Sequence, residues 1–267
     1  MSINIFGNEI PLYGVFFWLG IFVAAISAIF ISKKKKLPLF DLTCSAVYTM
    51  IMAMIGAKLL YLIVSFDEII SFAERNNLTF LELLPMIIKG GFVFYGGLIG
   101  GVGGLLIYAK QFKMDRWQLL DIYAAVLPLG HAIGRIGCFL GGCCYGIAYD
   151  GPLSHVYETP TGTAPVGVAL FPVQLLEALC LLILFGTQIL LLFKSKDKKR
   201  VLVYNYIFSY SVIRFALEFL RGDSERGALF IFSTSQWISL SVSIIMLVVI
   251  CRKYKLEKSE NNEKTDK

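Results

Sequence analysis

An all-α polytopic membrane protein, built as a seven-transmembrane-helix bundle with short extracellular or periplasmic elements, is the fold that three observations predict. The chain of 267 residues is 57% hydrophobic and only 16% charged, against about 25% charged in a soluble domain. Its apolar residues gather into runs close to the ~20 residues that a helix needs to cross a bilayer. Its basic residues sit in short clusters between those runs, the positive-inside pattern, so the net charge of +6 points to membrane topology and no nucleic-acid partner is expected. One membrane domain over 1–254 and a polar cytoplasmic tail over 255–267, KLEKSENNEKTDK, account for the whole chain.

The apolar runs lie at 11–32, 43–66, 91–109, 117–135, 171–193, 201–220 and 234–251. The first reads as a retained span: no basic residue precedes it, no A-x-A site follows, and Lys33, Lys34, Lys35 and Lys36 come directly after it. Those lysines place the first loop in the cytoplasm and the N-terminus outside. Alternation then makes 110–116, 194–200 and the tail from Arg252 cytoplasmic. Together the four segments hold 18 of the 25 Lys and Arg residues, which gives an N-out, C-in orientation. Between spans, SFAERNNLTF and LELLPMII within 67–90 read as an interfacial amphipathic piece. Residues 147–170 hold no Lys or Arg and are rich in Gly, Pro and Thr, as expected of an ordered or gating outer loop. The tail reads as a solvated, frayed end.

The stretch from Gly130 to Gly146, GHAIGRIGCFLGGCCYG, places Arg135 where the fourth run leaves the hydrocarbon. A charge held at the membrane centre costs about 3 kcal/mol on insertion scales, so a retained cation marks a site. At 1.5 Å per residue, Lys58 lies about 22 Å, Arg214 about 20 Å and Arg135 about 27 Å from the inner ends of their spans. In a core about 30 Å thick all three fall in the outer half, the level at which the spans bearing Tyr13 and Tyr95 begin. Polar groups from five spans are thus expected at one depth, as an anionic ligand from the outer leaflet requires. Tyr210, Arg214 and Glu218, spaced i, i+4, i+8, share one face of the sixth span. There Arg214 and Glu218 form either a self-satisfied pair or a pair in which Glu218 orients Arg214 toward a phosphate, whose oxygens its planar donors match; in the second case Arg135 and Arg214 are expected to bracket one phosphodiester.

The third span carries GGFVFYGGLIGGVGG, in which Gly96, Gly100 and Gly104, like Gly97 and Gly101, follow the small-xxx-small rule for close helix packing. Tyr95 opens this span either as a headgroup donor or as part of the aromatic belt. The six cysteines form no disulfide framework, since three stand singly in apolar runs. For Cys138, Cys143 and Cys144 with His131 and His155, a metal is disfavoured: C-x4-C-C matches no zinc pattern, and vicinal cysteines ligate one ion awkwardly. No metal and no cofactor are expected. A disulfide from Cys138 to Cys143 or Cys144, a nucleophilic thiol and plain buried side chains all remain open. His131 reads as a satisfied helix histidine.

The order of motifs resembles the bacterial prolipoprotein diacylglyceryl transferase family across nearly all seven spans: LYG in the first, GAKLLY in the second, YGGLIG in the third, GRIGCFLGGCCYG after the fourth, FPVQLLEAL opening the fifth and YSVIRFALEFLR in the sixth. The resemblance implies transfer of the diacylglyceryl group of phosphatidylglycerol to the lipobox cysteine thiol of a preprolipoprotein. A thioether forms and glycerol phosphate leaves, at an active site facing the outer leaflet of the bacterial plasma (inner) membrane. By position it makes Arg135, Arg214, Tyr95, Tyr210 and Glu218 the catalytic set. Arg135, Gly96, Gly97, Tyr13, Lys58, Cys138 and Gly146 are the substrate-binding set. The partners implied are phosphatidylglycerol, the lipobox segment and membrane lipid. The chain departs from the family pattern at Tyr95 (often His), Cys138 and Gly141 (usually Asn) and Cys143 (usually Glu), all on the acceptor side. A relative passing the same lipid group to another acceptor, or a lipid transporter without chemistry, are the alternatives, and the lack of an inverted repeat counts against transport.

Overall fold

The computed structural model describes residues 2–5, 8–194, 200–223 and 228–265. The described chain runs β1 (Ser2–Ile5), β2 (Asn8–Pro11), α1 (Leu12–Lys34), α2 (Leu39–Val64), α3 (Phe66–Arg75), α4 (Phe80–Lys89), α5 (Phe94–Gln111), α6 (Arg116–Gly141), β3 (His155–Val156), β4 (Ala169–Leu170), α7 (Val173–Lys194), α8 (Val201–Glu218), β5 (Ala228–Leu229), β6 (Phe232–Ser233) and α9 (Thr234–Thr265). The strands pair only as three antiparallel two-residue to four-residue hairpins, so the architecture among the described residues is helical.

Five helices are long and apolar enough to cross a bilayer: α1, α2, α6, α7 and the Thr234–Lys253 part of α9. The 18-residue α5 and α8 occupy the segments expected for the third and sixth spans, but glycines dilute the first and Tyr, Asn, Ser and Arg the second. Large apolar side chains such as Phe22, Phe30, Ile63 and Phe193 face outward, while Asp121, Gln174, Glu177, Gln188 and Glu218 are buried. A helical protein that hides carboxylates and exposes phenylalanines is built for lipid surroundings. The fold is therefore that of a polytopic membrane protein. Of the cytoplasmic loop expected at 194–200, Lys196, Lys198 and Lys199 lie outside the described residues. The tail does not fray at once: the α9 backbone stays helical through Thr265.

The chain forms two compact units, residues 32–120 and residues 1–31 with 121–267. In the first, α2 and α5 cross backbone to backbone. A Cβ on Gly96 or Gly100 would collide with the carbonyl oxygens of Gly56 and Met52, so these glycines are what the crossing requires. The expected interfacial piece is two short helices: α3 buries Ile69 and Ala73, and α4 opens with a capping box. Both the amide and the hydroxyl of Thr79 donate to Glu82 Oε2 at 2.8 Å, and these bonds hold the exposed Glu82 carboxyl below its ordinary range.

In the second unit α1 packs on α6, where Gly130 meets Gly20, and Gly137 meets Tyr13 and Phe16. Those two glycines are thus helix-packing positions, while Gly134 is open. Ala132, Ala178 and Leu181 join α6 to α7, with Ile136 and Tyr210 of α8 against them. At the start of α8 the buried Asp121 carboxylate caps the helix, accepting from Arg200 N at 3.0 Å and Val203 N at 3.1 Å. Gln188 ties α7 to its neighbours by donating to Ala124 O and Leu202 O at 3.0 and 2.9 Å.

Candidate active site

The fourth run does not end at Arg135. α6 continues to Gly141 and closes in a Schellman motif, with Gly142 at φ +70°, Cys143 N donating to Cys138 O at 3.1 Å and Gly142 N to Phe139 O at 3.2 Å. This termination sets the site. His131 and Arg135 are one turn apart inside the helix, Cys138 sits in its last turn, and the loop that follows caps the exposed carbonyls. Tyr157 donates to Phe139 O at 2.8 Å, Thr161 to Gly141 O at 3.1 Å and Gln174 of α7 to Cys143 O at 2.9 Å. Residues 147–170 are accordingly ordered, pinned by Tyr157, Ala164 and Leu170 with Tyr145. Burial pushes the Tyr157 phenol up to about 12.

At the centre lies Glu177 of α7, 1% exposed. Its Oε1 is 3.1 Å from Arg135 Nη2, 3.8 Å from His131 Nε2 and 3.4 Å from the Tyr210 hydroxyl, which donates to it. Its Oε2 is 3.8 Å from Nη1 of Arg221, whose side chain is 2% exposed. Arg221 is fixed by the chain reversal after α8. Gly222 N donates to Tyr145 O at 3.1 Å and Ile147 N to Leu220 O at 3.0 Å, while Asp223 grips the guanidinium at 3.0 and 3.1 Å. Gly146 sits where Phe171 O and Leu220 O leave no room for a Cβ, so its glycine serves this backbone approach.

On α8, Arg214 pairs with Glu218 one turn along, and Glu218 accepts from Ser233 Oγ at 2.9 Å. Both Arg135 and Arg214 act electrostatically on Tyr210 and on His131, so the two arginines share one neighbourhood. Among the described residues, Arg135 Nε, Arg214 Nη1 and Arg221 Nη1 are buried donors without a hydrogen-bond acceptor. Buried donors are seldom left so. Three guanidiniums with unused N–H groups, two beside Glu177 and one beside Glu218, can receive a further anion, above all a phosphate with its several acceptor oxygens.

Of the residues expected from the sequence, this unit brings together Arg135, Tyr210, Arg214 and Glu218, with Cys138 and Gly146 at its edge. Tyr13 lies against Gly137 and Gly141, within electrostatic reach of Cys138, Cys143, Cys144 and Arg135. Lys58, Tyr95, Gly96 and Gly97 belong to the other unit. There Lys58 Nζ donates to Gly90 O at 3.0 Å and Ile88 O at 3.3 Å and lies 4.9 Å from the Tyr61 and Phe92 ring centres. Gly96 packs on Gly56 and Gly97 on Ala57, and Tyr95 is partly exposed with an edge contact to Phe94.

Sequence reasoning missed Glu177 and Arg221. A lone carboxylate inside an apolar span and an arginine one turn beyond Glu218 were the available signals. The Sγ atoms of Cys138, Cys143 and Cys144 all lie within 4.8 Å of one another as free thiols. Hydrogen bonds from the Cys138 and Cys143 thiols, with Arg221 and Arg135 nearby, hold the Cys144 thiol well below the ordinary thiol range.

The profile of the family described as Prolipoprotein diacylglyceryl transferase matches residues 1–252. The chain is 36% identical over 250 residues to the phosphatidylglycerol–prolipoprotein diacylglyceryl transferase of Clostridium tetani, covering 92% of this chain and 94% of that protein. It is 32% identical over 244 residues to the protein of Clostridium perfringens named phosphatidylglycerol–prolipoprotein diacylglyceryl transferase 2, covering 90% of each. The Finegoldia magna protein of the former name is 28% identical over 99% of both chains. With a match that spans every membrane helix and both arginine-bearing segments, the chain belongs to the prolipoprotein diacylglyceryl transferase family.

Proposed function

We propose that the protein transfers the diacylglyceryl group of phosphatidylglycerol to the lipobox cysteine thiol of a preprolipoprotein. The reading places the reaction at the outer leaflet of the plasma membrane, with seven spans, the N-terminus outside and the C-terminus inside. α5 and α8 then serve as the third and sixth spans. The observation that carries it is the set of three buried guanidiniums with unused N–H donors, Arg135 and Arg221 beside Glu177 and Arg214 beside Glu218.

In the reaction the thiolate sulfur bonds to the glyceryl carbon that carries the phosphodiester. The carbon–oxygen bond breaks, and its electron pair leaves on the phosphate oxygen as glycerol phosphate. Negative charge therefore grows on the departing phosphate, and fixed guanidiniums in a water-poor site stabilise that charge without reorganising. Arg135, Arg214 and Arg221 hold the phosphate and Glu218 fixes Arg214. Glu177 sets the planes of Arg135 and Arg221 and orients the Tyr210 hydroxyl towards the headgroup. Incubating the purified protein with labelled phosphatidylglycerol and a lipobox peptide should yield a base-stable thioether, and Arg214→Ala should lower the rate by about 10² to 10³ while the protein stays folded in the membrane. Vesicle lipid flux without thioether product, or an unimpaired Arg214→Ala, overturns the reading.

A further inference from the structure

Cys138, Cys143 and Cys144 are the reactive groups that the proposed reaction leaves unused. Their convergence has a structural cause. A Schellman motif brings the side chain of the residue after its left-handed glycine back over the last helical turn. With Gly142 left-handed, that contact joins Cys143 to Cys138, and Cys143 Sγ reaches Cys138 O at 3.8 Å. Cys144 then adopts φ +57°, which turns the second of two vicinal cysteines toward the same point. The spacing that argues against a shared ligand in an extended chain is, at this helix end, what assembles three sulfurs.

Three sulfurs within 4.8 Å of one another nearly fit one thiophilic ion. Zinc–sulfur bonds of about 2.3 Å in a tetrahedral site place sulfurs ~3.8 Å apart, so each separation has about 1 Å or less to close, within reach of side-chain rotation. An all-thiolate set selects zinc and other soft ions over magnesium or calcium. Three protein ligands leave the fourth position open, as in catalytic rather than structural zinc sites. A zinc ion with three thiolates carries one net negative charge, and Arg221 and Arg135, which both act electrostatically on Cys144, are placed to balance it. Arg135 therefore faces both the thiol cluster and the Glu177 cluster.

We propose that Cys138, Cys143 and Cys144 bind one zinc ion whose open position receives the acceptor thiol. The inference rests on the transferase reading for its substrate. Coordination removes the acceptor's S–H proton to water. The bound thiolate then attacks the glyceryl carbon, the carbon–oxygen pair departs on the phosphate, and the neutral thioether, a poor zinc ligand, dissociates. Nothing is oxidised or reduced, and one proton is released per thioether formed. This revises the expectation of no metal, and it replaces the carboxylate that the family usually places at Cys143 with a different means of generating the thiolate.

The test is a cobalt titration of the full chain, purified under reducing conditions, stripped with chelator and held in detergent. One equivalent should give a sulfur-to-cobalt charge-transfer band and the strong visible bands of a tetrahedral thiolate site, both removed by zinc. A lipobox peptide should shift the visible bands, and the same peptide with serine for cysteine should not. Cys143→Ser and Cys144→Ser should weaken binding at least about tenfold, the loss of one good ligand, whereas Cys251→Ser, on the exposed face of α9, should not. Absence of stoichiometric binding by the parent protein, an unchanged spectrum with the thiol peptide, or a Cys138 disulfide in protein isolated from cells overturns the inference. Full transfer by the stripped protein overturns it too and leaves the transferase reading intact. A thiol-responsive metal site in a protein that makes no thioether supports the site and overturns the transferase reading.

Discussion

Replacing Glu177 by glutamine keeps the shape of the side chain and removes the charge at the centre of the site. Glu177 faces Arg135 at 3.1 Å and Arg221 at 3.8 Å. At an effective dielectric constant near 20 those separations correspond to attractions of about 5 and about 4 kcal/mol. The net effect is smaller, because Arg221 keeps Asp223 and glutamine is cheaper to bury than a carboxylate. Breaking one partner of a buried pair costs about 3–5 kcal/mol in practice, which in a chain of this size lowers the melting temperature by on the order of 10 °C. Transfer should fall by about 10² to 10³, the cost of misplacing preorganised donors, since Arg135, Arg221 and Tyr210 all lose the carboxylate charge that positions them. Thermal unfolding in detergent and thioether formation from labelled lipid measure the two effects on one preparation. Glu177→Gln that melts within about 2 °C of the parent and transfers within a few-fold of its rate would refute the role assigned to Glu177.

Elsewhere the packing makes its own demands. Gly100→Leu puts side-chain atoms against the Met52 carbonyl and the Gly56 backbone, so it should destabilise the α2–α5 crossing by about 3 kcal/mol or more, while Gly103→Leu, which meets open space, should melt like the parent. Asp121→Ala orphans the amides of Arg200 and Val203 and should cost about 2 kcal/mol, with faster amide exchange across the first turn of α8; Asp121→Asn, which keeps one of the two acceptor oxygens, should recover only part of that loss.

Much of the helix order is legible in the sequence because lipid imposes one rule, about 20 apolar residues per crossing, and each run from 11–32 to 234–251 became a helix. Boundaries were less legible. A charge beside a glycine cluster suggests an end at Arg135, yet α6 runs on to Gly141, with Gly130 and Gly137 packed on α1. Arg135, Tyr210, Arg214 and Glu218 were readable as charged or polar groups at membrane depth and at helical spacing. Glu177 was hidden inside FPVQLLEAL, where its partner stands on another helix, and Arg221 depends on a backbone reversal through Gly146 that no local spacing encodes. The three thiols are legible as a group in the sequence, but the geometry that brings their sulfurs together is not, since it requires left-handed backbone at both Gly142 and Cys144.

Phosphatidylglycerol binding to the purified protein measures directly whether Arg135, Arg214 and Arg221 receive one lipid phosphate. Hydrogen bonds to charged groups contribute about 1.5–3 kcal/mol each, so Arg135→Ala, Arg214→Ala and Arg221→Ala should each weaken binding by about ten- to a hundredfold, with a neutral diacylglycerol bound equally by all four proteins. Equal affinity for phosphatidylglycerol across the parent and the three variants would contradict that shared role.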